Sequence, residues 1–404
     1  MTDTAAVYNP FEPGFTDDPY PQYRMLRETD PVHHSPFGIW ALFHHADVLR
    51  LLRDPELSVE DANANPTPLT QIVDDALAER PDTGGQAMLN RDPPDHTRLR
   101  RLVSKAFTPR MIESLAPRVA ELVEQSLDEM AERGGGDVIG DLAFPLPFQV
   151  ITELLGMPDA DGNQLREWSG LLVRVLEPVV DPDLLRSIAD AGAKMTELVL
   201  DAIEWKRRNP ADDLLTALIA AEEQGEVLSA DELAAQVMLL YIAGHETTVN
   251  LIGNGTLALL RHRPQFDRLA REPELAGGAV DELLRFDSPV QMSRRITLQE
   301  LQVGDKTIEA GAFVVLVLAS ANRDRAQWGD DADELDIARA DAKGHVSFGG
   351  GHHLCLGAAL ARLEGRLALE GLARRFPSLE LAGTPVWNGR INLRGLDTLP
   401  VAVG

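Results

Sequence analysis

The sequence predicts a mainly α-helical protein with small β-sheets. Six segments carry apolar residues at spacings of three and four, the pattern of helices with one buried face. These segments are 98–107, 111–132, 183–206, 212–223, 276–286 and 356–376. The predicted strands are short and lie toward the two ends of the chain, so we expect the sheets to be a minor part of the fold.

Composition and charge exclude several classes of protein. The chain has 404 residues, of which 44% are hydrophobic and 25% charged, as in globular proteins rather than disordered or fibrous ones. Its 38 lysines and arginines against 64 aspartates and glutamates give a net charge of -26, which argues against nucleic acid as a partner. The sequence shows no signal-peptide pattern, no long apolar run and no interdomain linker. We therefore expect one cytoplasmic domain, 1–404, with no membrane partner.

The predicted β regions stand near the ends of the chain. Residues 38–43 (GIWALF) are typical of a short strand and are followed by a predicted helix at 45–52. Residues 303–318 are expected to form a hairpin that turns at Glu309, Ala310 and Gly311.

The longest predicted helix begins at Ser229 and runs to about Arg261. Ser229 and Glu232 form a capping box, which marks the first turn. Because roughly 30 residues at 1.5 Å each span about 45 Å, this helix must cross the core. In its middle, residues 243–248 (AGHETT) interrupt the apolar pattern, and threonines that bond back to the preceding turn predict a local bend. The alternative is an exposed patch with a tolerated glycine.

A glycine-rich segment, residues 348–357 (FGGGHHLCLG), precedes the last predicted helix and contains the only cysteine, Cys355. Glycines permit the backbone conformations that let a loop approach a ligand closely. A helix N-terminus favours a thiolate over a thiol, and a thiolate is a good ligand for iron. The alternatives are a buried structural cysteine, or a zinc site with His345, His352 or His353, although a structural zinc site needs four protein ligands.

This segment resembles the haem-binding loop of the cytochrome P450 family, the haem-thiolate monooxygenases. The matching positions are Phe348, Gly349, Gly351, His353, Cys355 and Gly357. The similarity covers almost the whole chain in order and is typical of a soluble bacterial member. It implies the cytochrome P450 fold, with the long central helix lying over a haem b whose iron is bound by Cys355.

Residues 243–248 resemble the oxygen-activating segment of that family's long helix. The resemblance places Glu246 at the acid position, Thr247 at the alcohol position, and Ala243 and Gly244 over the haem. It implies that O2 is a co-substrate, that Thr247 hydrogen-bonds the bound oxygen and that Glu246 relays protons.

Glu282 and Arg285 resemble the family's Glu-x-x-Arg pair, whose spacing places both side chains on one helix face. The spacing alone is not specific, since Glu204 and Arg207 repeat it and are expected to be a solvated surface pair. The segment around Arg339 resembles the one that donates a second arginine in the family. The resemblance therefore implies a buried structural triad of Glu282, Arg285 and Arg339.

Residues 92–100 start a helix in which His96 and Arg100 fall one turn apart, so both can point at one pair of carboxylates. In the family these carboxylates are the haem propionates, and Arg295 and His353 match two further propionate contacts. The alternative for His96 is a surface histidine.

The resemblance implies a monooxygenase that hydroxylates or epoxidises a small, mostly apolar molecule. A peroxygenase is an alternative, against which the acid–alcohol pair counts, and a haem-thiolate sensor or electron carrier is another. The remaining alternative is a helical protein that binds no haem, which predicts that the purified protein is colourless. The candidate substrate contacts, each of which also reads as ordinary core, are Leu89, Leu239, Ala243, Val290 and Met292.

The chain has no motif for a flavin or an iron–sulfur cluster, so a separate ferredoxin or flavodoxin is implied as the electron donor. Arg98, Arg101 and Lys105 lie on the helix face opposite to His96 and Arg100. We predict that these three residues dock an acidic partner by charge attraction. The alternative is a charged stripe that merely solvates an exposed helix face.

Overall fold

The computed structural model describes residues 7–77, 87–105, 107–157, 162–178, 181–223 and 228–404. The helices in these residues are Tyr20–Thr29 (α1), His45–Leu52 (α2), Pro68–Leu77 (α3), Asp95–Ser104 (α4), Pro109–Arg133 (α5), Pro145–Leu155 (α6), Gly162–Leu172 (α7), Pro182–Arg208 (α8), Leu214–Glu223 (α9), Ala230–Arg261 (α10), Arg263–Arg271 (α11), Ala276–Phe286 (α12), Leu318–Ala321 (α13), Arg325–Trp328 (α14) and Ala358–Arg375 (α15). The strands are Val32–His34 (β1), Trp40–Leu42 (β2), Leu57–Ser58 (β3), Gly135–Asp137 (β4), Ser293–Thr297 (β5), Leu301–Val303 (β6), Lys306–Ile308 (β7), Phe313–Leu316 (β8), Glu380–Leu381 (β9), Val386–Trp387 (β10), Leu396–Thr398 (β11) and Pro400–Ala402 (β12). The predicted fold class, mainly α with small sheets, is confirmed.

The predicted helices are all present, with ends that differ by up to three residues. The largest difference is at α4, which begins at Asp95, immediately after two prolines, and ends at Ser104. The sequence placed this helix at 98–107, and residue 106 lies outside the described residues. Two prolines before a helix define its first turn more firmly than the apolar spacing that follows them.

The predicted hairpin at 303–318 is wrong in its pairing. The hairpin is formed by β6 and β7, which turn at Gly304 with a φ of 60°. Strand β8 instead joins a five-stranded sheet of order β1-β2-β8-β5-β3, where it pairs in parallel with β2 and antiparallel with β5. The Gly311 N–H donates to the carbonyl of Thr297 at 2.7 Å, which ties the predicted turn to β5 instead of folding β8 back on β7.

Helix α10 crosses the core as predicted and packs against α6, α8, α12 and α15. Its capping box is confirmed, since the Ser229 hydroxyl accepts from the Glu232 N–H at 3.1 Å and the Glu232 carboxylate accepts from the Ser229 N–H at 2.9 Å. The helix continues without interruption through residues 243–248. Among the described helices, none combines the length and the apolar content needed to cross a bilayer.

Glu282 and Arg285 form a fully buried ion pair on α12. Arg285 Nε and Nη2 donate to the two carboxylate oxygens of Glu282 at 2.6 and 2.8 Å, and both side chains have 0% exposure. Arg339 Nε donates to Glu282 Oε1 at 3.3 Å. Arg285 also donates to the carbonyl oxygens of Asn322 and Ala332, at 2.9 and 2.7 Å. Nε, Nη1 and Nη2 of Arg285 therefore all have acceptors. A buried ion pair is tolerated when its donors are satisfied in this way.

We expect Glu282→Ala to lower the free energy of unfolding by about 3–5 kcal/mol, because it leaves Arg285 buried and unpaired. Glu204→Ala is the matched control, since Glu204 has the same spacing to an arginine but is exposed on α8. Chemical unfolding of both variants measures the difference. Equal stability of the two variants would show that the buried pair does not support the fold.

Candidate functional site

The loop that carries Cys355 is shaped by glycines that no other residue replaces without strain. Gly349 and Gly351 have φ values of 71° and 64°, in the left-handed region. A Cβ at Gly351 would lie 2.5 Å from the Leu52 carbonyl oxygen, so this position also needs the space. The loop closes through the Cys355 N–H, which donates to the carbonyl of Phe348 at 2.9 Å.

The thiol of Cys355 is accessible and lies just before the first turn of α15. Burial raises the pKa of this thiol above its ordinary value, and the Gly357 N–H and the nearby Arg100 and Arg362 offset only part of that rise. A Cβ at Gly357 would meet no protein atom within 4 Å. The Gly357 N–H and the two arginines act in favour of the charged form of the sulfur, which is the form that ligates a metal.

A second layer of polar side chains holds this loop from behind, and the sequence did not indicate it. His345 Nε2 contacts Asp281 Oδ1 at 3.3 Å, while its Nδ1 accepts from the Ser347 N–H at 3.1 Å. Arg362 Nε donates to the same Asp281 oxygen at 2.7 Å, and its guanidinium lies 4.5 Å from the centre of the Phe348 ring. Asp281 therefore anchors two elements that flank Cys355.

Four predicted residues, His96, Arg100, Arg295 and His353, form a cluster next to the cysteine loop. The ring centres of His96 and His353 are 4.3 Å apart, and Arg100 Nη2 donates to the carbonyl of Leu354 at 2.6 Å. His96 is buried, so the alternative of a surface histidine is wrong. Arg295 is 4% exposed on β5.

The cluster places two arginines and two histidines together, and Arg295 donates only to neutral oxygens of Ser293, Arg294 and Leu52. Neither ring nitrogen of His96 has a hydrogen-bond partner among the described residues. Burial lowers the pKa of Arg295 to about 10, that of His96 to about 4 and that of His353 to about 3. The nearby carboxylate of Asp92 already accepts from the Val59 N–H and the Ser58 hydroxyl. Buried donors of this kind fit a ligand that brings its own carboxylates.

The zinc alternative has no support in the described residues. Within the parts of the chain that the structure describes, no group of three or more His, Cys, Asp or Glu side chains could hold a metal ion. Cys355 alone stays the predicted ligand, as the resemblance to the haem-binding loop implies.

Comparison with known proteins decides the family. The family model described as cytochrome P450 matches residues 175–389. The chain is 44% identical over 402 residues to vitamin D(3) 25-hydroxylase of Pseudonocardia autotrophica, covering 98% of this chain and 96% of that protein. It is 41% identical over 409 residues to cytochrome P450 107B1 of Saccharopolyspora erythraea, covering 98% and 97%.

The chain belongs to the cytochrome P450 family. A solved structure, the cytochrome P450 PksS of the bacillaene polyketide synthase from Bacillus subtilis 168, matches it with a TM-score of 0.89 at 36% identity, covering 98% of this chain and 100% of that one. Membership makes the chain an oxidoreductase of the monooxygenase class, with a haem-thiolate cofactor and O2 as co-substrate. The predicted family and fold are confirmed.

The predicted oxygen-activating residues of this cytochrome P450 lie in the middle of α10. Leu239, Ala243 and Thr247 are spaced by four and share one helix face, on which Ala243 is exposed. Thr247 Oγ1 donates to the carbonyl of Ala243 at 3.2 Å. For Gly244 the structure offers a packing reason, since a Cβ there would lie 3.1 Å from Ile151 of α6. Its haem contact stays a prediction.

Glu246 has a partner that sequence reasoning missed. Its carboxylate accepts from Nη1 of Arg390, and both side chains are 12% exposed. Arg390 is 144 residues away along the chain and lies in the irregular segment between β10 and β11. No spacing rule links residues so far apart, so the pairing was not visible in the sequence.

The predicted substrate contacts divide into two groups. Ala243 is exposed on α10, and Leu239, one turn earlier, is half-buried against the core. Leu89 is 41% exposed beside Met88, whose N–H donates to Gln236 of α10 at 3.0 Å. Val290 packs instead against the apolar cluster around the five-stranded sheet.

Met292 packs against a different cluster. It lies against the N-terminal aromatic cluster, where the Tyr8 hydroxyl is 3.8 Å from its sulfur. The roles of Met292 and Val290 as substrate contacts stay predictions, with ordinary packing as the competing reason for their positions.

The predicted docking residues are not equivalent in the structure. Arg98 forms ion pairs with Glu232, in the first turn of α10, and with Asp95 on its own helix, the latter at 3.5 Å. Arg98 thus fastens α4 to α10, which the helical-wheel argument did not anticipate. Arg101 and Lys105 are exposed, and α4 lies beside the cysteine loop through the bond from Arg100 to Leu354.

Proposed function

We propose that this cytochrome P450 inserts one oxygen atom of O2 into a C–H bond of a small, mostly apolar molecule, by hydroxylation or epoxidation. The observation that carries the proposal is the cluster of buried His96 and Arg295 with half-buried His353 and Arg100, beside the exposed Cys355. Both ring nitrogens of His96 lack a partner among the described residues. A haem b would bring two carboxylates to these side chains and an iron to the Cys355 thiolate.

In this proposal the bound haem supplies the activation of oxygen, and the chain supplies position, charge and protons. Cys355 would ligate the haem iron, and Phe348, Gly349, Gly351 and Gly357 shape its loop. His96, Arg100, Arg295 and His353 would bind the propionates.

The α10 side of the site handles the substrate and the protons. Thr247 already donates its proton to the carbonyl of Ala243, so the lone pairs of its hydroxyl can accept a hydrogen bond. Glu246 takes protons from solvent and passes them inward. Leu239 and Ala243 present an apolar surface that excludes water from the substrate.

The substrate class is supported by the open α10 face and by the relatives. One relative is named a vitamin D(3) 25-hydroxylase, and a similar solved structure belongs to a polyketide synthase pathway. Both names fit a largely apolar skeleton. We also propose that residues 1–404 form one catalytic domain, that the protein is cytoplasmic, and that its electrons come from a separate ferredoxin or flavodoxin.

Cys355→Ser tests the ligand. We expect the variant, if it takes up haem, to lose the far-red Soret band of the reduced carbonyl complex, because that band requires a thiolate opposite the carbonyl. Absorption spectra of the reduced, CO-treated protein measure it, with Thr247→Ala as the control that keeps the thiolate. A retained band in the serine variant would rule out Cys355 as the ligand.

Thr247→Ala tests the proposed oxygen-activating side. We expect substrate binding, followed as a spin-state change, to stay within about twofold while product formed per electron consumed falls up to roughly tenfold, because a hydrogen bond contributes about 0.5–1.5 kcal/mol. Thr29→Ala is the matched control, since Thr29 makes the same bond to the carbonyl four residues earlier on exposed α1. Unchanged coupling in Thr247→Ala would refute its role.

The docking prediction is tested on Arg101 and Lys105, because changing Arg98 would also break its ion pair with Glu232. Replacing both by Gln should slow reduction by an acidic ferredoxin at low salt and flatten its salt dependence, since the Debye length is about 10 Å at 0.1 M. The control replaces Arg374 and Arg375 by Gln, at the far end of α15 and about 26 Å from its start. Their ion pairs with Glu124 and Asp128 are on the exposed surface, where such pairs contribute little. Equal stopped-flow reduction rates in both variants would show that the partner does not dock at Arg101 and Lys105.

A further inference from the structure

Glu177 binds a segment more than two hundred residues away. Its carboxylate accepts three consecutive backbone N–H groups, from Ile391 at 2.7 Å, Asn392 at 2.9 Å and Leu393 at 2.8 Å. Glu177 lies in the connection between α7 and α8. A carboxylate that accepts several backbone donors forms charge-assisted bonds, which are roughly twice as strong as neutral ones. One side chain thus fixes the backbone of this segment.

The same segment rests on a second support. The Gln291 N–H donates to the carbonyl of Asn392 at 2.8 Å, and the Met292 N–H donates to the Asn392 side-chain oxygen at 3.1 Å. Val290 and Leu393 form an antiparallel bridge. Residues 390–393, the junction segment, are therefore held between the α7–α8 connection on one side and the residues before β5 on the other.

The first residue of the junction segment reaches the acid on α10. Arg390 Nη1 donates to Glu246, and the Arg390 N–H donates to the side-chain oxygen of Asn388 at 3.0 Å. Gly389 has a φ of 65°, which turns the chain so that Arg390 faces α10. With both side chains 12% exposed, the pair is mostly shielded from solvent and is weakened less by salt than a surface pair.

We propose that Arg390 is the positioning residue for Glu246, and that Glu177 holds Arg390 in place through the backbone of residues 391–393. The Glu177 carboxylate binds the three N–H groups of residues 391–393. Arg390 is the next residue along the backbone, and its guanidinium binds the Glu246 carboxylate. The position of the α7–α8 connection is thereby transmitted to the acid in the middle of α10. This inference rests on the proposed proton-relay function of Glu246.

The first test is amide hydrogen exchange of the haem-loaded, substrate-free protein, followed by mass spectrometry with fragment resolution. Glu177→Gln should speed exchange at residues 391–393 about tenfold, because a neutral amide replaces the charged acceptor of their N–H groups. Arg390→Gln should leave these amides within about twofold, since their acceptor is intact. Arg118→Gln is the matched control, because it breaks an arginine–glutamate pair, Arg118 with Glu153, on the exposed surface.

The second test is product formed per electron consumed. Arg390→Gln and Glu177→Gln should each lower this yield about threefold with the substrate-induced spin change retained, because the acid is present but misplaced. Arg390→Lys should restore most of the yield, since the contact uses a single N–H that a lysine ammonium can replace. Arg118→Gln should match the wild type.

Two results would overturn the inference. One is wild-type exchange at residues 391–393 in Glu177→Gln. The other is wild-type yield in Arg390→Gln while Glu246→Gln lowers the yield, which would leave the proposed function of Glu246 standing. If Glu246→Gln itself keeps the wild-type yield, the proposed proton relay has failed, and the exchange result still decides whether Glu177 fixes the junction segment.

Discussion

The buried contact between Glu282 and Arg285 is the interaction on which the cysteine side of the site depends. Arg285 fastens the backbone at Asn322, and the Asn322 side chain donates to the hydroxyls of Ser288 and Ser347 at 2.8 Å while accepting from the Val346 N–H. The cysteine loop begins at Phe348, two residues after Val346. An ion pair deep in the core costs desolvation energy, and it is repaid here because its donors reach backbone that must be held in one position.

The two sides of the site are built by different means. On the cysteine side, glycines with left-handed backbone and a buried polar network fix the loop through contacts within the protein. On the α10 side, the helix backbone is regular and the functional groups are placed by contacts from elsewhere, as with Arg390 and Glu246. A fixed loop on the cysteine side, and side-chain contacts on the α10 side, agree with a site that keeps one cofactor and admits a separate substrate.

Charge in this acidic protein is organised by pairing rather than by patches alone. Arg98 illustrates this, because a residue that a helical wheel assigns to a docking face is held by the carboxylate that also caps α10. Glu232 therefore serves both the first turn of α10 and the attachment of α4. A net charge of -26 leaves many carboxylates available for such pairs, so an exposed position on a wheel does not establish that a cation is available to a partner.

The sequence by itself determined the features that depend on neighbours within a few residues. These are the helix positions, the capping box at Ser229, the glycine loop around Cys355 and the spacing of Glu282 and Arg285, because 3.6-residue periodicity and backbone freedom are local properties. Only the tertiary structure decided which strand β8 pairs with, that Asp281 anchors His345, and that Arg390 and Glu177 meet Glu246 and the junction segment. These contacts join residues tens to hundreds of positions apart. A single charged residue belongs to no periodic pattern, so the sequence does not indicate which distant residue it contacts.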